Sequence, residues 1–230
     1  MSFTGIIIQA RSGSKRFLNK IFKLIGSKTV LDHVVSRVNK VSLKKKIIIA
    51  TSKKKQDDRV IKIALKNNCE FFRGAELNVL DKFSKTAFKF DLKSVIRISG
   101  DSPFIDPKLI NKCYKFYKKS KADLVSNIQF PSYPKGMSIE IMSLNTIEKL
   151  KKLNLNKIDK EHVTSAIYKN KKKFKIKNYS SIKNLRSYKF ALDFPYEIKY
   201  LRKMYSLLVK KKIEKVFTLA DLIKLSDKIN

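Results

Sequence analysis

Apolar residues along this chain come in two spacings. Short runs stand at Ile6-Ile7-Ile8 and Ile47-Ile48-Ile49-Ala50, unbroken, and at Val95-Ile96-Arg97-Ile98, broken only by Arg97. Runs of this kind suit strands buried on both faces. Between them, apolar positions recur every three to four residues, as in Val30, Leu31, Val34, Val35 and Val38, which marks helices. The pattern predicts strands near 4–9, 46–50, 70–72 and 94–98, and helices near 29–39, 57–67, 78–90 and 107–119. Strands alternating with helices predict an α/β fold with a parallel, doubly wound sheet. Asp106 reads as the cap of the fourth helix, with Pro107 in its first turn. Beyond Leu124-Val125-Ser126-Asn127 the rhythm changes, and Pro131, Pro134 and Gly136 mark a loop. Strands are expected at 138–142, 174–179 and 190–193, and helices at 146–153, 161–169, 196–208 and 218–227. No internal repeat or low-complexity linker interrupts this order.

Size and composition narrow the picture. A chain of 230 residues with 43% hydrophobic content fits one α/β domain, 1–230, or one with a small appendage. No apolar run approaches the ~20 residues of a membrane helix. Met1-Ser2-Phe3-Thr4 runs into the first strand without the pattern of a signal peptide, and Cys69 and Cys113 form no metal-spaced pair. A cytoplasmic protein with reduced, structural cysteines is expected. The net charge of +34 invites a nucleic-acid reading, but only eight of the 53 cations are Arg, and Lys is spread along the whole chain. Arg is the residue of bidentate phosphate and base recognition. The charge therefore reads as compositional drift, with the Lys runs at 44–46, 53–55, 171–173 and 210–212 as solvated faces, and neither nucleic acid nor membrane is an expected partner.

The candidate chemistry starts where the first strand ends. Gln9-Ala10-Arg11-Ser12-Gly13-Ser14-Lys15-Arg16 runs on to Lys20. A small-residue turn at the carboxyl edge of a sheet is where open α/β folds bind ligands. Backbone N–H groups with cations beside them favour anions. The spacing is neither GxxxxGK[ST] nor GxGxxG. Arg11 and Arg16 suit chelation of phosphate oxygens and Lys20 a mobile point charge, so the stretch reads as a triphosphate cradle. Asp101, in Ser99-Gly100-Asp101-Ser102-Pro103, and Asp193, after Phe190-Ala191-Leu192, are two strand-terminal carboxylates. Magnesium is usually held by one or two carboxylates plus substrate phosphates.

These residues resemble a known family. Ile8 to Arg16 with Lys20 is similar to the opening loop of the cytidylyltransferases that make CMP-activated acidic sugars, the acylneuraminate and 3-deoxy-manno-octulosonate enzymes. Arg73-Gly74 through Asn78-Val79-Leu80-Asp81-Lys82-Phe83, then Arg97 to Asp106, resemble the branch of spore coat polysaccharide biosynthesis protein F. Ser126-Asn127, Tyr133-Pro134-Lys135-Gly136, Glu140, Glu161-His162-Val163-Thr164 and Leu192-Asp193 follow in that branch's order. The resemblance implies a Rossmann-like nucleotide-diphospho-sugar transferase fold, a mostly parallel mixed sheet flanked by helices. It also implies a sugar-side and dimerisation lobe near 127–185. The implied activity is Mg²⁺-dependent transfer of CMP from CTP to a sugar, with release of pyrophosphate. Gln9 to Ser14, Arg16 and Lys20 would hold the triphosphate, with Arg11, Arg16, Lys20 and Asp101 catalytic. Thr51, Ser52, Arg73 and Gly74 would lie by base and ribose, Glu140 and His162 would face the sugar, and Asp101 and Asp193 would bind Mg²⁺. Two departures stand out: Leu18-Asn19 replaces the usual Pro-Gly before the loop lysine, and Ser138 replaces an Asp. The identity of the sugar stays open. So do a same-fold enzyme using another nucleotide or a nucleotide-sugar donor, and a non-catalytic nucleotide or polyanion binder.

Overall fold

Ile6, Ile7 and Ile8 are buried because their strand, β1 (Phe3–Gln9), lies inside the sheet with helices on both faces. The computed structural model describes residues 3–229; Met1 and Ser2 of the lead-in, and Asn230, lie outside them. A two-stranded hairpin, β2 (Leu24–Ile25) and β3 (Lys28–Thr29), follows the loop. It turns at Gly26, whose φ of 61° belongs to the left-handed region. Helix α1 (Val30–Asn39) starts on a reciprocal capping box of Thr29 and Asp32. Then come β4 (Lys45–Ser52), α2 (Asp58–Lys66), β5 (Glu70–Gly74), α3 (Val79–Lys89), β6 (Leu92–Ser99) and α4 (Pro107–Ser120). The expected Asp106 cap is present, with Pro107 in the first turn. Asp106 also accepts a hydrogen bond from Leu219 N (2.9 Å).

The second part holds β7 (Leu124–Ser126), β8 (Glu140–Ser143), α5 (Leu144–Lys151), α6 (Lys157–His162), α7 (Ser165–Lys169), β9 (Ile176–Asn178), α8 (Glu197–Lys210) and α9 (Leu219–Ser226). The sheet order is β5-β4-β1-β6-β8-β7-β9. All neighbours are parallel except around β8, which runs antiparallel to both β6 and β7. The sheet is therefore mixed and mostly parallel, as the family resemblance implies, and not the wholly parallel one that alternation predicts. Alternate side chains divide between two cores. Ile6, Ile8, Ile49 and Ile98 pack with α1, α4, α8 and α9. Ile7, Ile48, Val95 and Met142 pack with α3, α5 and α7. Among the described residues no helix is long and apolar enough to cross a membrane.

Two expected elements come out differently. Residues 190–193 form no strand: Phe190 N donates to Lys135 O and Leu192 N to Asp101 O, so this backbone is spent on two loops. The stretch 161–169 is two helices, α6 and α7, broken at Val163. Val163 has φ 45° and ψ −63°, and Thr164 N donates to His162 O across the break. A β-branched residue in that region costs on the order of 1–3 kcal/mol and persists where surroundings over-determine it; here Val163 is buried with Ala166 and Ile167.

Candidate functional site

The loop after β1 is held by its own backbone. Ala10 N donates to Ala50 O, and Ser12 O accepts from both Ser14 N and Asn19 N. Ser12 N donates to Asp57 Oδ1 (2.7 Å), and the other carboxylate oxygen of Asp57 accepts from the Ser52 hydroxyl. Burial works against the charge of Asp57, but these serine hydrogen bonds outweigh it and keep its pKa below the usual value. Asn19 adopts φ 58° and ψ 21°, a left-handed conformation that Asn tolerates far better than β-branched residues. The Leu18-Asn19 departure therefore leaves the turn intact. A short 3-10 helix, Lys20–Phe22, follows directly and starts the burial of Lys20.

Lys20 reaches the floor of the site. Its Nζ donates to Asp101 Oδ2 (2.5 Å) and to Asp193 Oδ1 (2.8 Å), and its side chain is 8% exposed. Asp101 leaves the end of β6, where a side chain at Gly100 would collide with Ala10 Cβ at 2.9 Å. Ser99 Oγ donates to its Oδ1 (2.6 Å). Asp193 sits in the irregular turn before α8, with Glu197 accepting from its backbone N (2.5 Å) and from Phe194 N (2.9 Å). Arg16 Nη2 lies 2.9 Å from Asp193 Oδ1, and Lys135 Nζ lies 2.5 Å from Oδ2. Burial again opposes the Asp193 charge, and the hydrogen bonds from Lys135 and Lys20 hold its pKa below the ordinary carboxylate value.

A second group forms a wall. Arg97 donates from Nε and Nη2 to Gln9 Oε1 (3.2 and 3.0 Å) and from Nη1 to Glu140 Oε2 (2.5 Å). With Oε1 taken, the Gln9 amide keeps its N–H donors for other partners. Tyr168 donates to Glu140 Oε1 (3.0 Å), and burial, with Glu140 beside it, pushes the phenol's pKa up.

Three cavities of about 340, 220 and 250 Å³ run in a row along this edge. The first, lined by Arg11, Lys15, Arg16 and Lys20, shares Gln9, Arg97 and Ser99 with the second. The second shares Ile128 and Ser138 with the third, which adds Tyr133, Lys135 and Arg186. One end is strongly cationic and suits a polyanion; the other is mixed and suits a polar organic molecule.

The expected residues divide accordingly. Gln9, Ala10, Arg11, Ser14, Arg16, Lys20 and Asp101 meet on the first cavity. Ser12 is buried beneath it, and Gly13 lies beside Glu76. Thr51 and Ser52 are buried at the end of β4. Arg73 ties down the backbone there, bonding Ser52 O and Lys54 O and pairing with Asp58. Gly74 packs against Lys82, whose side chain would be struck at 2.8 Å by any Cβ. Glu140 lines the second cavity, but both its oxygens are engaged by Arg97 and Tyr168. His162 is exposed at the end of α6, while its neighbour Glu161 lines the first cavity and holds Arg11 Nη2 at 3.0 Å.

Sequence reasoning gave no role to Arg97, Lys135, Asp57 or Lys82. Arg97 and Lys135 sit inside motifs that carry the family resemblance, and an Arg within a buried strand run was a visible signal. Lys82 is 1% exposed. Burial first, then Arg11, push its pKa down to about 8, against the pull of Asp57 and Glu76. Among the described residues no three His, Cys, Asp or Glu gather as a metal centre. The two carboxylates share the Lys20 ammonium, with Arg16 and Lys135 also on Asp193, and offer hard oxygen ligands only. That donor set fits a magnesium ion completed by substrate phosphates.

Known proteins are similar to this chain in sequence and in fold. A family model described as cytidylyltransferase matches residues 5–224. The spore coat polysaccharide biosynthesis protein SpsF of Bacillus subtilis is 28% identical over 206 residues, 86% of this chain and 85% of that protein. A cytidylyltransferase structure from Leptospira borgpetersenii superposes with a TM-score of 0.90 at 26% identity, covering 99% of this chain and 95% of the other. A CMP:2-keto-3-deoxy-manno-octonic acid synthetase complexed with CTP gives 0.70 at 14% identity, over 91% and 100% of the two chains, a likeness of fold alone. The match runs from the cation loop through the carboxylate floor to α9, and the chain belongs to the cytidylyltransferase family of nucleotidyltransferases.

Proposed function

We propose that this cytidylyltransferase uses CTP and Mg²⁺ to convert an acidic sugar into its CMP derivative, releasing pyrophosphate, in surface polysaccharide biosynthesis. The observation that carries the reading is Lys20 bridging Asp101 and Asp193 at the floor of a cation-lined cavity that opens onto a second and a third. The names of the relatives support the nucleotide and the pathway. A sugar hydroxyl attacks the α-phosphorus; the new O–P bond forms as the bond from the α-phosphorus to the bridging oxygen breaks, pyrophosphate leaves with that oxygen, and the hydroxyl proton passes to solvent.

Arg11, Lys15, Arg16 and Lys20 bind the triphosphate and stabilise the charge that grows on the leaving pyrophosphate, which is positioning and electrostatics in place of a protein nucleophile. Asp101 and Asp193 are the residues that would hold Mg²⁺. When bound, the ion neutralises phosphate oxygens and lowers the pKa of a coordinated hydroxyl. Gln9, its amide oriented by Arg97, presents N–H donors between nucleotide and sugar cavities. The lobe 127–185 carries exposed Ile128, Phe130 and Ile182, which supports a homodimer joined there. A Phe130→Glu, Ile182→Lys variant should sediment as a monomer.

The test is pyrophosphate release from CTP and Mg²⁺ with a panel of 3-deoxy-manno-octulosonate, N-acetylneuraminate and neutral hexoses. Release with CTP and an acidic sugar is expected. Release only with neutral sugars would remove the acidic-sugar part, and release only with another nucleotide would move the donor.

A further inference from the structure

Three cations meet the two carboxylates of the floor, and they are not equivalent. Lys20 is buried and bonds both Asp101 and Asp193. Arg16 comes from the phosphate loop and shares Asp193 Oδ1 with Lys20. Lys135 comes from the other side of the site, the loop between β7 and β8, and Asp193 Oδ2 has it alone, at 2.5 Å. Backbone bonds fix the base of that loop: Lys135 N donates to Tyr188 O and accepts, through its O, from Phe190 N. Gly136, with φ 97° and no room for a Cβ against Phe190, fixes the next turn. The Lys135 side chain itself is 41% exposed, and the third cavity, with Tyr133, Ser138 and Arg186, lies open to it.

Charge sets the limit on this cluster. Two carboxylates against Lys20, Arg16 and Lys135 leave a surplus of one positive charge. A divalent cation cannot join at full strength, because like charges a few ångströms apart repel strongly. A polyphosphate entering with the ion would engage Arg16 and Lys20. Lys135 has no such partner on the phosphate side, and it has both exposure and a cavity to move into.

We propose that Lys135 is the resident counter-ion of the metal seat: it occupies Asp193 Oδ2 while no divalent ion is bound and swings into the third cavity when one binds. Metal loading and the arming of the sugar cavity with a second cation beside Arg186 are then one event. This inference rests on the assignment of Asp101 and Asp193 as metal ligands.

The test is Mn²⁺ binding to the nucleotide-free full-length protein, read as loss of the free-ion EPR signal. Lys135→Met should bind Mn²⁺ about tenfold or more tightly than wild type, since it removes a unit charge in direct contact with the seat. Lys135→Arg, which keeps the charge, should stay close to wild type. Lys172→Met, which removes an exposed cation outside the site, should shift affinity by less than about threefold. Asp193→Asn should abolish the tight binding of Lys135→Met. If Lys135→Met binds no better than wild type while Asp193→Asn weakens binding, the Lys135 inference is wrong and the metal seat stands. If Asp193→Asn changes nothing in either background, the metal seat itself is wrong and the inference falls with it.

Discussion

The cation loop and the lobe facing it reach the same cavities by different means. On the loop side, side chains leave strand ends and backbone bonds set their positions: Ala10 to Ala50, Ser14 and Asn19 to Ser12, Gly100 to Gln9. On the lobe side, β8 is laddered to β6, but the side chains that reach the cavities are held across the site by ionic contacts: Arg97 with Glu140, Arg11 with Glu161, Lys135 with Asp193. A backbone ladder has one arrangement, whereas an ion pair can exchange its partner for a ligand. The loop side is thus built to be ready before the ligand arrives, and the lobe side to respond to it.

The largest effect should come from the floor where the two sides meet. Asp101→Asn should lower pyrophosphate release by about a thousandfold without unfolding the protein, since Asp193 still pairs with the buried Lys20. Turnover within tenfold of wild type would remove Asp101 from the chemistry.

Next comes the wall. Arg97→Met strands the buried Glu140 carboxylate and should cost about 3 kcal/mol in denaturant unfolding. Arg97→Met with Glu140→Gln should recover more than half of that. Equal losses in the single and double variants would show that packing, not charge pairing, holds the lobe.

A smaller effect sharpens the loop side. The pKa of Lys82 is about 8 in the fold against a reference value of 10.5. Between those values the unfolded chain holds a proton that the folded chain has released, so stability rises with pH across that window. Below pH 8 the cost of the buried ammonium is present in full. Lys82→Met should flatten the rise and stabilise the protein at pH 7 by on the order of 1–2 kcal/mol. An unchanged pH slope would show that Lys82 is already compensated.

The smallest is Asn19. Asn19→Ala should cost about 1 kcal/mol for the left-handed backbone, and Asn19→Gly about nothing. Equal costs would mean that the Asn19 side chain, not its backbone, sets the turn.

Legibility in the sequence divides along the same line. The isoleucine runs announce β1 and β4 because a strand buried on both faces needs apolar residues at every position. The carboxylates at Asp101 and Asp193 were visible as polar stops to apolar runs, although Asp193 turns out to leave a loop and not a strand. The strand β8 was expected, but its antiparallel direction was hidden from the pattern because its placement depends on Asn127, whose amide spans Met137 O and Ile139 N ten and twelve residues on. The break at Val163 was hidden because its cause is burial against another helix. The engagement of Glu140 was hidden because its partners, Arg97 and Tyr168, lie 43 and 28 residues away. Local pattern carries elements and the residues at their ends; it does not carry pairings between distant side chains, and the lobe consists largely of those.

The most direct test of a metal-dependent CTP site is the thermal shift of the wild-type protein with CTP, UTP, ATP and GTP, each with and without Mg²⁺. A ligand at about 100 times its dissociation constant stabilises a fold by about 2.7 kcal/mol. That gain is expected with CTP, and it should shrink sharply without Mg²⁺. An equal response to all four nucleotides, or a CTP response indifferent to Mg²⁺, would contradict a metal-dependent CTP site.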